Sequence, residues 1–320
     1  MLAKPFIKWV GGKSQLLEEI REKYPSEIEK YCEPFVGGGA VLFDILNKFK
    51  PSQVLINDIN KELINTYSQI KNNCSGMIEQ LSKIQTIYRN HSLDENKEFF
   101  YEKRNRYNEL KVNGNEAENL EKAFLFIFLN KTCFNGLYRV NKKGYFNVPF
   151  GKYSNPTICD SETIRKDSEL LQRVDILAGD FEETFKCATG KTLFYFDPPY
   201  RPLSDTSSFN DYTKEAFNDD AQIRLKEYCD KINEAGFEFM LSNSDCKGKN
   251  EEDNFFDVLY RNYWIERVWA SRSINSNPNK RGKLTEILVR NYQNINANSK
   301  NVVMTSDGFV GAKAENKKIV

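Results

Sequence analysis

The run Thr192-Leu193-Phe194-Tyr195-Phe196 is apolar and aromatic, and it stops at Asp197-Pro198-Pro199-Tyr200. Five such residues are too few for a helix and rich in strand formers, so they read as a buried parallel strand. The prolines fix φ and offer no N–H, which forces the chain out of the sheet at that point. In open α/β sheets, ligands bind in the crevice beyond the strand C-termini. Asp197, Pro198, Pro199 and Tyr200 therefore stand together at the mouth of a cleft. The carboxylate and the proline carbonyls only accept hydrogen bonds, while Tyr200 offers a flat face. A planar group with an exposed NH2, such as a nucleobase, suits that set. An ordinary strand ending in a turn would use the same residues, so the rest of the chain has to decide.

Two glycine-rich turns precede this strand. Lys8-Trp9-Val10-Gly11-Gly12-Lys13 leads into a helical pattern carried by Leu16, Leu17 and Ile20, with Ser14 as a candidate cap. Gly12-Lys13-Ser14 resembles the end of a phosphate-binding loop, but the first glycine of that motif would fall at Ile7, which excludes it. Glu33-Pro34-Phe35 then leads into Val36-Gly37-Gly38-Gly39 and a helix over about 41–47. Strand, glycine turn and helix open a Rossmann-like unit, in which glycines let backbone approach a ligand closely. A dehydrogenase fingerprint would need a third glycine where Leu42 stands. The strand 53–58 ends on Asp58, 21 residues after Gly37 and so in place for ribose hydroxyls; capping of the next helix is the alternative.

At 320 residues the chain can bury one large domain plus an insertion. Neither a membrane-length apolar run nor a signal-peptide core is evident, which predicts a soluble, cytoplasmic protein. Seven scattered cysteines without a Cys-x-x-Cys pair suit reduced thiols, and the lone His91 reads as a surface residue. Neither a metal site nor a Ser-His-Asp triad is expected. Basic and acidic residues number 46 and 45, so any basic footprint for nucleic acid must be local.

One stretch supplies such a footprint. Residues 63–130 read as charged helices with turns near 74–76 and 113–115, and Leu125–Leu129 as their most buried part. From 130 to 153 acidic residues are absent, and Arg139, Lys142, Lys143 and Lys152 alternate with aromatics around Asn-Gly, Lys-Gly and Pro-Phe-Gly breaks. That pattern predicts a protruding β-hairpin carrying charge for phosphate and a planar guanidinium for guanine; an ordinary surface hairpin is the alternative. A helix over 161–171, a strand at 174–178 ending in Gly179-Asp180-Phe181, a polar loop over 204–212, a helix over 218–235, a strand ending in Ser242-Asn243-Ser244, a mobile loop over 271–283 and a strand over 284–290 complete the reading.

In this order the motifs resemble the Dam-like family of DNA adenine N6-methyltransferases. The matches are Lys8 to Lys13, Glu33 to Gly39, Asn57-Asp58, Phe134-Asn135-Gly136-Leu137-Tyr138-Arg139 with Asn147-Val148-Pro149-Phe150-Gly151, and Asp197 to Tyr200. The resemblance implies an α/β, Rossmann-like S-adenosylmethionine-dependent methyltransferase sheet with helices on both faces. Into it a mainly helical target-recognition domain with a β-hairpin would be inserted. Residues 1–62 and 165–293 would form the catalytic domain, 63–164 the insertion and 294–320 a polar tail that the family does not match. S-adenosylmethionine would be held by Trp9, Lys13, Phe35, Gly37, Gly39, Asp58, Asp180 and Asp197. Double-stranded DNA would be read at GATC by Lys8, Asn135, Leu137, Arg139, Pro149 and Tyr153. Asp197, Pro198, Pro199 and Tyr200 would receive an adenine flipped out of the duplex. Methylation of another DNA sequence, of RNA or of protein, and a catalytically inactive DNA-binding module, are the alternatives. Monomer and dimer both stay open.

Overall fold

The computed structural model describes residues 2–201, 217–270 and 284–293. Among the described residues seven strands form one sheet: β1 (Lys30–Glu33), β2 (Gln53–Asp58), β3 (Val174–Ala178), β4 (Thr192–Phe196), β5 (Glu238–Ser244), β6 (Trp264–Ala270) and β7 (Leu284–Arg290). Their order is β3-β2-β1-β4-β5-β7-β6, parallel from β3 to β5, with β7 antiparallel to both neighbours. β1 pairs with β2 on one side and β4 on the other, so the order reverses there. The crevice beyond β1 and β4 is the binding position that this topology creates.

Burial on both faces explains the apolar strands. In β4 every residue is buried. Leu193 and Tyr195 join the core on one face, and Phe194 and Phe196 join the core on the other, as a period of two requires. Each such side chain contributes about 1.5–3 kcal/mol on burial. Helices cover both faces. α1 (Leu17–Arg21), α2 (Ala40–Lys48) and α3 (Lys61–Asn72) lie in the first half of the chain. α4 (Cys74–Asn90) and α5 (Leu93–Asn113) each pack on α6 (Asn119–Thr132), α7 (Ser161–Leu171) packs on α3 and α4, and α8 (Asp219–Glu234) packs on β5. Helix α3 contacts β2, β3, α6 and α7, so the helices over 74–132 and one sheet face share a continuous core. Leu125 to Leu129 are buried within it, as expected. Among the described residues no helix is long and apolar enough to cross a membrane.

Several local expectations are corrected. Ser14 lies inside a 3-10 turn, Lys13–Gln15, and makes no cap. The break expected at 74–76 falls one residue earlier at Asn73, and Cys74 already begins α4. His91 is half-buried, edge-on against Phe99 at 5.4 Å. Strand β6 went unread in the sequence. The hairpin over 130–153 doubles back as expected but forms no ladder, only the bridges Cys133↔Phe150 and Val140↔Phe146. Side chains of α5 take backbone groups that a ladder would use: Asn108 bonds both the N–H and the carbonyl of Phe146, and Arg104 donates to the Val148 carbonyl. The loops expected at 204–212 and 271–283, and the tail 294–320, lie outside the described residues.

Candidate active site

Asp197 stands one residue past β4. Lys13 reaches it from the 3-10 turn after Gly11-Gly12, with Nζ 2.7 Å from Asp197 Oδ1. The ammonium also donates to the Gly11 carbonyl at 2.7 Å and lies 4.6 Å from the Tyr200 ring centroid. The Lys13 side chain is 3% exposed, whereas the Asp197 side chain keeps 21% of its surface, so the pair opens on the carboxylate side. Burial pushes the Asp197 carboxyl up to about 6, although Lys13 pulls it down; Glu286 adds a smaller upward push.

Two further acids flank the pair. Glu33, at the tip of β1, is 2% exposed and accepts a hydrogen bond from the Tyr31 hydroxyl at 2.7 Å. Burial holds its carboxyl well above the usual range, and the neighbouring charge of Asp197 adds to the shift. Glu286 enters from β7, whose register sets it opposite Ser244 at the same lip. It accepts the Tyr200 hydroxyl at 2.5 Å. Pro198 is buried and Pro199 exposed, and the Pro199 carbonyl accepts from Gln222 Nε2 at 3.1 Å. Gln222 is itself held by Asn243, so a chain of amides fixes the turn.

The glycine turn follows β1. Gly37 sits at φ 48°, and a Cβ there would stand 2.8 Å from Trp9 Cδ1. Gly39, at φ 74°, leaves room for the Tyr67 hydroxyl, which would otherwise lie 2.5 Å from a Cβ. Asp58 accepts the Gly37 N–H at 3.1 Å and the Asn60 N–H at 2.9 Å. Asn60, not Asp58, caps α3 through the Leu63 N–H. Burial raises the Asp58 carboxyl, and these backbone donors restrain the rise. Phe35 packs against Phe181 and Phe217 at centroid distances of 5.3 and 5.7 Å. Asp180 caps the 3-10 turn Phe181–Cys187 and pairs with Arg224.

Trp9 links this corner to the loop after α6. Its ring stacks on Tyr138 at 5.8 Å, and Tyr138 in turn meets Phe126 and Phe146. Asn130 joins the same two segments: its Oδ1 accepts the Lys8 N–H, and its Nδ2 donates to the carbonyls of Lys8 and Gly136. Asn135 adopts φ 55°, and its N–H donates to the Tyr153 hydroxyl at 3.1 Å. Lys8 Nζ lies 5.7 Å from the Tyr153 centroid. Arg139 and Pro149 are exposed and Leu137 is half-buried. Arg139 Nε donates to Asn147 Oδ1 at 2.8 Å, and the Pro149 carbonyl accepts the Phe134 N–H.

Lys13, Asp197 and Tyr200 thus meet directly, and Trp9, Gly37 and Asp58 form a second connected group. Asp180 and Phe35 lie on the Phe181 side of the lip; in the loop, Lys8 and Asn135 meet at Tyr153, while Arg139 is held separately by Asn147. Glu33, Glu286 and Gln222 were not singled out from sequence. Glu33 carried a signal, being an acid at the end of a strand just before a glycine turn. Glu286 and Gln222 carried none, because only the β7 register and the α8 packing bring them to the site.

A mixed seven-stranded sheet of this order, with helices on both faces and carboxylates along the C-terminal lip, is a Rossmann-like methyltransferase fold. Residues 9–274 match the family of D12 class N6 adenine-specific DNA methyltransferases. The chain belongs to that family and is an adenine-specific DNA methyltransferase. It is 46% identical over 298 residues to the type II methyltransferase M.MjaIII of Methanocaldococcus jannaschii, covering 91% of this chain and 100% of that one. It is 34% identical over 286 residues to a DNA adenine methylase of Haemophilus influenzae, covering 89% and 92%. To the DNA adenine methylase of Escherichia coli K12 it is 30% identical over 285 residues, covering 89% and 94%.

Proposed function

We propose that this enzyme moves a methyl group from S-adenosylmethionine to N6 of an adenine flipped out of duplex DNA, at GATC. The observation that carries the reading is the corner formed by Asp197, Pro198 and Tyr200. There an acceptor carboxylate, a proline carbonyl and an aromatic ring stand together at one strand end.

The lip suits an adenosyl group. Asp58 receives backbone N–H groups of Gly37, Ile59 and Asn60 and keeps lone-pair capacity for ribose hydroxyls. Phe35, Phe181 and Phe217 supply an apolar wall, and Asp180 borders it as a candidate acceptor for the adenine amine. Gly37 and Gly39 border the same crevice, and Trp9 and Lys13 would face the methionine end. When bound, S-adenosylmethionine supplies an electrophilic methyl on a sulfonium. Asp197 and the Pro198 carbonyl would accept the two N6–H bonds and hold the amine, so that its lone pair points out of the ring plane. Tyr200 would stack on the base. Positioning of this kind lowers a barrier by about 7–11 kcal/mol in favourable cases. The ionised Asp197 then takes up the proton that N6 gives away.

Sequence reading is assigned to the loop. Asn147 orients the Arg139 guanidinium, which suits bidentate contact with a guanine. Lys8 and Asn135 meet at Tyr153 at the root of the loop, and these three, with Leu137 and Pro149, are assigned to the remaining DNA contacts. The test is labelled methyl transfer onto two duplexes, one with a single GATC and one with those bases scrambled. Label confined to the first, recovered as N6-methyladenine, supports the proposal. Label on both keeps the reaction and discards GATC.

A further inference from the structure

The acceptor and the ring assigned above to the target base are already engaged by a side chain of the protein. Lys13 Nζ lies 2.7 Å from Asp197 Oδ1 and 4.6 Å from the Tyr200 centroid. A base stacked on that face of Tyr200 needs the space the ammonium fills, and its amine needs the carboxylate that the ammonium bonds. The two occupants therefore compete. Lys13 is almost fully buried, and a buried ammonium that loses its partner is strongly disfavoured. It leaves Asp197 only if another anion receives it.

Glu33 is poorly suited to be that anion. Burial and the charge of Asp197 both favour its neutral form, and its Oε2 is bonded to Tyr31. Glu286 is bonded to the Tyr200 hydroxyl. Among the described residues these are the acids beside the pair, and each already holds a tyrosine hydroxyl, which favours a carboxylate brought by a ligand. Lys13 is held by a three-residue 3-10 turn preceded by two glycines, and its third contact is the carbonyl of Gly11 on the same short tether.

We infer that Lys13 is a placeholder for the target base, released from Asp197 and Tyr200 only when the carboxylate of an amino-acid-bearing nucleoside takes over its ammonium. This rests on the cofactor and base flipping given under Proposed function. Binding is then ordered: the carboxylate-bearing nucleoside first, the flipped base second. Lys13 is a positioning residue in this scheme, since it sets when the acceptor becomes available.

The experiment uses the full chain and a GATC duplex with 2-aminopurine at the target adenine, whose fluorescence rises when it unstacks. The probes are S-adenosylhomocysteine, which has the carboxylate, and 5′-methylthioadenosine, which lacks it. In the wild type, S-adenosylhomocysteine should raise the signal severalfold over DNA alone, and methylthioadenosine should not, although calorimetry shows it bound. Lys13→Met should give the raised signal with no nucleoside, while Lys13→Arg, which keeps the charge, should stay dependent. A circular-dichroism melt confirms that each variant is folded.

A wild type that opens the base equally well on DNA alone would overturn the placeholder, as would a folded Lys13→Met that still needs S-adenosylhomocysteine. The two failures separate. If the wild type binds S-adenosylhomocysteine and methylates DNA yet opens without it, the placeholder falls and the cofactor reading stands. If it binds neither nucleoside, the cofactor reading falls and takes the placeholder with it.

Discussion

At the end of β4 the polar groups ride on strands. Glu33, Asp197 and Glu286 follow or belong to β1, β4 and β7, whose pairing fixes where each carboxylate arrives. The loop between α6 and α7 has no such support. Its two bridges leave Arg139, Leu137 and Pro149 to be placed by single side chains: Asn147 under Arg139, Asn108 along the far limb, and Asn130 at the root. Register sets one region, and individual hydrogen bonds set the other. Reaction geometry should therefore fail all at once when a group is removed, whereas specificity should degrade in steps.

The largest break expected is Asp197→Ala. Removing a positioned acid–base group costs about 10²–10⁴-fold, and the amine also loses its acceptor, so single-turnover methylation should fall at least that far. Near-normal turnover would discard the assignment of the corner. Asp197→Asn separates charge from shape: it keeps an acceptor oxygen but cannot hold the proton, and should recover little of the rate.

On the loop, the largest effect belongs to Asn130→Ala. It removes three hydrogen bonds that join Lys8 to Gly136, all from a side chain only 3% exposed. Buried groups left unpaired cost about 1–3 kcal/mol each, to be read as a lower urea midpoint with a flatter preference for the proposed GATC site. A midpoint within error of wild type would show that the root of the loop is held by packing instead. Arg139→Ala should leave the fold alone and weaken discrimination against a changed guanine by about 1–3 kcal/mol. Equal weakening on every sequence would make Arg139 a phosphate contact.

The same contrast governs what the sequence could reveal. Strand β2 reads off its apolar run because both faces are buried. Helix α7 falls on the expected 161–171, and the structure adds its Asp160 cap. The Asp197 corner reads off two prolines that must end a strand. Glu286 and Gln222 do not read at all: the antiparallel insertion of β7 between β5 and β6 is a long-range pairing with no local signal, and β6 was missed for the same reason. The loop was legible in composition but not in structure, because Asn108 on α5 takes the bonds that the β-prone residues would have given to a ladder.

The smallest effect is the most discriminating, because it turns on one proton. The Asp197 carboxyl is lifted to about 6 by burial, against the pull of Lys13. Its folded value lies above the roughly 3.9 of an unperturbed aspartate, so proton uptake favours the folded state. That stabilisation is complete below the unfolded value and is lost as pH rises through about 6. Activity needs the opposite form, since only the ionised carboxylate can take the amine proton. Without cofactor the melting temperature should therefore gain the Asp197 contribution as pH drops through about 6, whereas at saturating cofactor, with Lys13 drawn away from Asp197, single-turnover rates should already fall at a higher pH. Lys13→Met removes the pull and should move the cofactor-free stability transition to higher pH while leaving the activity limb at saturating cofactor in place. Among the described residues the charges acting on Asp197 are those of Lys13 and Glu286, neither in the loop between α6 and α7, so Arg139→Ala should leave the limb where it is. A limb that moves with Arg139→Ala would mean that the observed proton belongs to DNA binding and not to the corner at β4.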